Sequence, residues 1–364
     1  MTATNPMHGP NKFKIGVFSM NADGGLALTK VPERWPAKWT EIVEAAQMAD
    51  RAGLEFVLPI ARWKGFGGEL NSREWSFETF TFAAGLAGFT KNIALFATVH
   101  VPMVHPVFAA KALTTIDHAS GGRAGFNIVC GWNPEEFGMF GLPMIENRYD
   151  QGLEWFEIIQ KIYTADEPFD YDGQFYKLEG VSGKPQPIQS PRPITLNAAF
   201  SPPGREFAAK AADFLFTTFM EFEDAATNIA DMKTRSAATG REVGVFTTCP
   251  VVCRPTQAEA EDYFEHYAVT MADTESVDHY MAQKQKFSGS HDPEAYRLHR
   301  KRFAGGAGGY PLVGTPEHIA SEIEKMHEVG FAGMAMSFVN YKNELPYFNA
   351  QVLPLLREAG LRET

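Results

Sequence analysis

The chain has 364 residues, 45% hydrophobic and 13% aromatic, which suits a large core and excludes a disordered chain. Its net charge is −11 with Lys and Arg dispersed, so neither nucleic acid nor an anionic membrane is an expected partner. Cys130, Cys249 and Cys253 sit in apolar runs without C-x-x-C spacing, and the N-terminus lacks a signal-peptide layout. A cytoplasmic protein without a disulfide framework is expected.

In chain order, Lys14–Met20 reads as a strand and Trp39–Ala52 as an amphipathic helix closed by Gly53. A second strand, Phe56–Ile60, leads into R-W-K-G-F-G-G (Arg62–Gly68). A helix over Glu74–Phe89, a strand over Ile93–Val101 and a helix over His105–Ser120 follow. The fourth strand opens R-A-G-F-N-I-V-C-G-W-N-P-E-E (Arg123–Glu136) and is apolar on both faces except for Asn127. Tyr149–Tyr163 is helical, and the alternation around Asp172-Gly173 predicts a hairpin over Phe169–Val181. Strands over Ile194–Phe200, Phe214–Phe219, Val245–Val252 and Met334–Val339 complete eight, nearly all followed by helices. The pattern predicts an α/β fold, a (β/α)8 TIM barrel with insertions, as a single domain over 1–364. Excursions are expected near 165–192, and a polar insertion over 273–312 is expected to act as a lid.

In such a barrel the functional groups come from the C-terminal strand tips. The second strand delivers Ala61, Arg62 and Lys64, and the third Thr98 and His100, with His105 beyond. The fourth delivers Asn127, Trp132 and Glu136, and the fifth Asn197 and Ser201. Convergent carboxylates are scarce, which disfavours a paired-acid hydrolase. His100 and His105 lack the company of a metal motif, so no metal centre is expected. No G-x-S-x-G elbow is present, and Cys130 lies within a strand. Ser201-Pro202-Pro203-Gly204 opens a helix whose start suits an anion, and Arg148-Tyr149 at another helix start can join it on one phosphate.

These residues resemble the bacterial luciferase-like flavin-dependent monooxygenases over nearly the whole chain. The likeness is to the branch with pyrimidine, dimethylsulfone and dibenzothiophene-sulfone monooxygenases. The carrying motifs are Arg62–Gly68, F-A-T (Phe96–Thr98), A-A-K-A-L-T-T-I-D-H-A-S-G-G-R (Ala109–Arg123), N-I-V-C-G-W (Asn127–Trp132) and R-Y-D (Arg148–Asp150).

The resemblance implies a two-component enzyme using reduced FMN (FMNH2) and O2 to cleave a small N-heterocycle, sulfone or halogenated aromatic. A separate NAD(P)H:flavin reductase would supply the FMNH2, and the enzyme would be a homodimer or homotetramer. It further implies that Ala61, Arg62, Asn127 and Glu136 contact the flavin, and that Arg148, Tyr149 and Ser201 hold its phosphate. Thr98, Asn127 and Trp132 would be catalytic, around a flavin peroxide near N5. Cys130 stands where the pyrimidine enzymes carry threonine, and the second strand tip reads P-I-A-R-W, which points away from uracil. An F420- or flavin-dependent reductase of the same fold, or a non-catalytic flavin-binding protein, is the alternative.

Overall fold

Period-two alternation in short, mostly apolar strands produces a closed parallel ring in the computed structural model, which describes residues 5–285 and 293–363. The strands are β1 (Lys14–Phe18), β2 (Phe56–Leu58), β3 (Ala94–His100), β4 (Ala124–Val129), β5 (Phe169–Asp172), β6 (Lys177–Val181), β7 (Ile194–Ala198), β8 (Phe214–Thr217), β9 (Gly244–Cys253), β10 (Leu312–Gly314) and β11 (Gly333–Ser337). The ring runs β1-β2-β3-β4-β7-β8-β9-β11 and closes where β11 pairs with β1, every pairing parallel. This is a (β/α)8 barrel. β5 and β6 form the predicted hairpin as a separate antiparallel sheet, and β10 extends β9 outside the ring.

The helices are α1 (Trp39–Arg51), α2 (Thr79–Ala87), α3 (Pro106–Ser120), α4 (Pro134–Met139), α5 (Arg148–Thr164), α6 (Pro202–Ala211), α7 (Phe222–Ala238), α8 (Gln257–Glu265), α9 (Thr274–Gln285), α10 (Pro293–Gly306), α11 (Pro316–Val329) and α12 (Tyr341–Glu358). One π-helical turn, His266–Thr270, extends α8. α2 starts five residues later than the pattern predicts. Asn71 and Arg73 adopt left-handed backbone (φ 46° and 70°), and Glu78 caps the helix through the Phe80 and Thr81 amides. The insertion is largely helical: α9 and α10 fall within 273–312, while residues 286–292 of that stretch lie outside the described ones.

Inside the ring, Phe56 meets Phe96, Phe216 and Phe246 edge-on, with ring centroids 5.8–6.1 Å apart. Glycine makes room for them. A Cβ on Gly125 would lie 2.3 Å from the Phe96 ring, and one on Gly16 equally close to Phe56. This aromatic plug fills the lower barrel and leaves the strand tips above it to build a site.

Candidate active site

A cavity of about 300 Å³ opens above the plug, at the C-terminal ends of the strands. Ala61, Arg62, Thr98, Asn127, Trp132, Arg148, Tyr149 and Ser201 all line it, as do His100 and Asn197, whereas Glu136, Lys64 and His105 do not; Lys64 pairs with Glu135 instead.

Thr98 and Asn127 face each other in register on β3 and β4. The Thr98 hydroxyl donates to the Pro59 carbonyl at 2.5 Å, and the Asn127 amide donates to Thr98 Oγ1 at 3.4 Å. The Thr98 carbonyl accepts from the Thr79 hydroxyl at 2.7 Å, which ties the pair to the start of α2. The threonine proton is therefore already engaged, and Thr98 orients Asn127. Asn127 Oδ1 is buried without a hydrogen-bond partner, and Nδ2 keeps a second hydrogen beyond the one it gives Thr98.

Arg62 leaves the β2 tip and lies over Phe66 and Trp132, 4.6 and 4.9 Å from their centroids. Its Nη1 is 3.0 Å from Glu136 Oε1, which also accepts the Trp63 amide N–H at 3.0 Å. Glu136 sits in the first turn of α4, a short helix that Asn133 caps. Its carboxylate fixes the Arg62 loop from behind and does not wall the cavity. Arg62 Nε is buried without a hydrogen-bond partner.

The anion cradle assembles across α5 and α6. Tyr149 Oη lies 3.3 Å from Ser201 Oγ, and Ser201 caps α6 by accepting from Gly204 N at 3.3 Å. A Cβ on Gly204 would come within 2.8 Å of Tyr149 Oη and the Ala199 side chain, so glycine keeps this corner open. The expectation of free N–H groups at the helix start is cut back. Pro202 and Pro203 have none, and the Arg205 amide bonds the Ser201 carbonyl. The side chains carry the cradle instead: Arg148 stacks on Tyr149 at 5.0 Å, and its Nε is buried without a partner. The orphaned guanidinium nitrogen, phenol and hydroxyl fit a phosphate.

His100 lines the cavity beyond Thr98, while His105 caps α3 through the Val107 amide. Burial, aided by the Arg62 charge, pushes His100 down to about 3, so it is neutral at physiological pH, and its Nδ1 lacks a partner. Burial pushes the Cys130 thiol up, with Arg148 opposing only in part, so no thiolate nucleophile forms there. Among the described residues, no three His, Cys, Asp or Glu cluster as metal ligands, and no helix is long and apolar enough to cross a membrane.

Among the cavity residues that escaped sequence reasoning are Arg73 and Tyr280. Arg73 comes from the loop before α2, and Tyr280 from α9, where it packs on Phe66 at 4.4 Å and lies 6.2 Å from Trp132. The left-handed backbone of Arg73 and the irregular spacing of α9 leave no periodic signal.

The model of the luciferase-like monooxygenase family matches residues 13–333. The FMNH2-dependent dimethylsulfone monooxygenase of Pseudomonas putida is 30% identical over 355 residues, covering 95% of both chains. The pyrimidine monooxygenase of Acinetobacter baylyi is 28% identical over 353 residues, covering 94% of each. Among solved structures, a long-chain alkane monooxygenase superposes with a TM-score of 0.85 at 20% identity, covering 97% of this chain and 93% of its own. That last likeness concerns the fold alone.

Proposed function

As this chain belongs to the luciferase-like monooxygenase family, we propose that it is a two-component, FMNH2-dependent monooxygenase that oxidatively cleaves a small organic substrate. The observation that carries the reading is the cradle of Arg148, Tyr149 and Ser201 on the same cavity as the Thr98–Asn127 pair. Reduced FMN, when bound, supplies the electrons that activate O2.

The chain's own residues do the rest. Arg148, Tyr149 and Ser201 hold the phosphate, and Ala61 and Arg62 flank the ring. Glu136 acts from behind by fixing Arg62. The second Nδ2 hydrogen of Asn127 is the donor offered to developing negative charge on oxygen. Its strand and the Thr98 bond set its direction in advance, which is where such donors gain most of their effect. Trp132, Tyr280 and α9 cover the mouth and exclude water, the part of the 273–312 lid that rests on described residues. Residues 1–364 act as one unit in this reading. It draws FMNH2 from a separate NAD(P)H:flavin reductase, assembles as a homodimer or homotetramer, and takes an N-heterocycle, sulfone or halogenated aromatic.

The test is anaerobic titration with FMNH2, followed by turnover with a flavin reductase, NADH and O2 on candidate sulfones and heterocycles. Arg148→Met is expected to weaken FMNH2 binding by about tenfold or more. Absent binding, or an affinity indifferent to Arg148, would refute the reading.

A further inference from the structure

The cavity is electrostatically one-sided. Arg62, Arg73 and Arg148 line it and, among the described residues, no Asp or Glu does, in a chain of net charge −11. Arg62 pairs with Glu136, and the proposed phosphate would take Arg148, whose Nε is unpartnered. Among the described residues the Arg73 side chain pairs with no acid.

Arg73 is 2% exposed. Its Nε donates to the Gly25 carbonyl at 3.0 Å and its Nη2 to the Leu26 carbonyl at 2.7 Å. The guanidinium lies over Phe66 and Tyr280, 5.0 and 5.4 Å from their centroids. The Tyr280 side chain also hydrogen-bonds the guanidinium, and among the described residues these partners are all neutral. They orient the cation without cancelling its charge, and a buried charge left uncompensated is costly. Asp23 reaches Arg73 only through its backbone: Oδ1 accepts the Arg73 amide at 2.7 Å, while Oδ2 takes Arg34 at 2.9 Å. That bond also secures the left-handed backbone of Arg73 (φ 70°), a strained conformation for a side-chain-bearing residue. An arginine held so, against the cavity and with no acid paired to its side chain among the described residues, keeps a positive charge that an anion in the cavity would offset.

Its place in the ring separates it from the cofactor cradle. Arg73 docks on Gly25 and Leu26, which follow β1, whereas Ser201 follows β7. Those strands are four positions apart in a ring of eight, on opposite sides of the barrel.

We infer that the Arg73 end of the cavity is the substrate subsite, and that the substrate is a small organic anion whose carboxylate, sulfinate or sulfonate oxygens take the Arg73 guanidinium. This rests on the flavin-dependent oxygenation proposed above and narrows its substrate class. Planar guanidinium and oxyanion match in a two-point bond that an ammonium cannot reproduce.

The full chain, loaded anaerobically with FMNH2, is titrated calorimetrically with two matched pairs: methanesulfonate against dimethylsulfone, and benzoate against benzamide. In each pair the anion is expected to bind at least about tenfold tighter. Arg73→Met is expected to erase that preference without changing FMNH2 affinity, and Arg73→Lys to retain a smaller one. If Arg73→Met does not fold, Arg73→Lys still reads the loss of the two-point bond. No preference in the unaltered protein overturns the inference. So does a loss confined to FMNH2 affinity, which would assign Arg73 to the cofactor. Failure of FMNH2 to bind refutes the parent reading separately. The pairs are then compared on the protein alone, where Arg73 must still govern the preference.

Discussion

Phe96 and Thr98 stand two residues apart on β3, both facing into the barrel, yet they belong to different regions. Phe96 joins the aromatic plug with Phe56, and Thr98 begins the site. On β4 the same step runs from Gly125, which makes room for the Phe96 ring, to Asn127. The plug contains hydrocarbon packed against hydrocarbon. One layer higher, Asn127 Oδ1, His100 Nδ1 and Arg62 Nε are buried and unpartnered. Polar groups left so in a folded protein cost free energy, and they persist where a ligand completes them. Strand geometry is the same in both layers, so the division of labour is chemical: the lower layer stabilises, and the upper layer is the one proposed to react.

Substitutions can break that division. The largest effect is expected from Phe246→Ala, since Phe246 is fully buried and its ring meets those of Phe56, Phe214 and Phe216. A loss of about 3–5 kcal/mol is expected in denaturant unfolding. A variant as stable as the parent would show that the lower layer is not the keystone described. Next comes Asn127→Ala. Here the rate of oxygenation should fall about 10²–10³-fold because the Nδ2 donor is lost, while the unfolding midpoint barely moves because the unpartnered Oδ1 goes with it. An unchanged rate with a fallen midpoint would reverse the roles of the two layers.

The same contrast explains how much could be read from the sequence. Period-two apolar strands alternating with amphipathic helices specify the ring. The strand tips then place Thr98, Asn127 and Arg62 on one face, because position along a strand dictates direction. Arg148 and Ser201 were legible as residues at helix starts. Their convergence depends on β4 and β7 being neighbours, which parallel strand order supplies. Glu136 was legible as a residue near the flavin site, but not as the anchor behind Arg62, since nothing local says which way α4 turns it. Arg73 and Tyr280 were not legible. One lies in a loop with left-handed backbone and the other on a helix far along the chain, and their meeting at Phe66 is purely tertiary.

The smallest effect concerns His100, the last inward residue of β3 and the one farthest above the plug. Its folded-state value of about 3 lies below the ordinary 6.5, so the unfolded chain takes up the proton first. The stability it contributes is therefore complete above about pH 6.5 and is withdrawn as pH falls toward 3, by at most about 1.4 kcal/mol per pH unit. Replacing it (His100→Gln) should make the decline in unfolding free energy between about pH 6 and pH 4 shallower, leaving the carboxylate contribution common to both proteins. Equal slopes would mean that His100 protonates without penalty in the folded state. The dry, cation-flanked layer would then end at Thr98, and the boundary between stabilising and reacting positions would have to be redrawn one step lower on the strand.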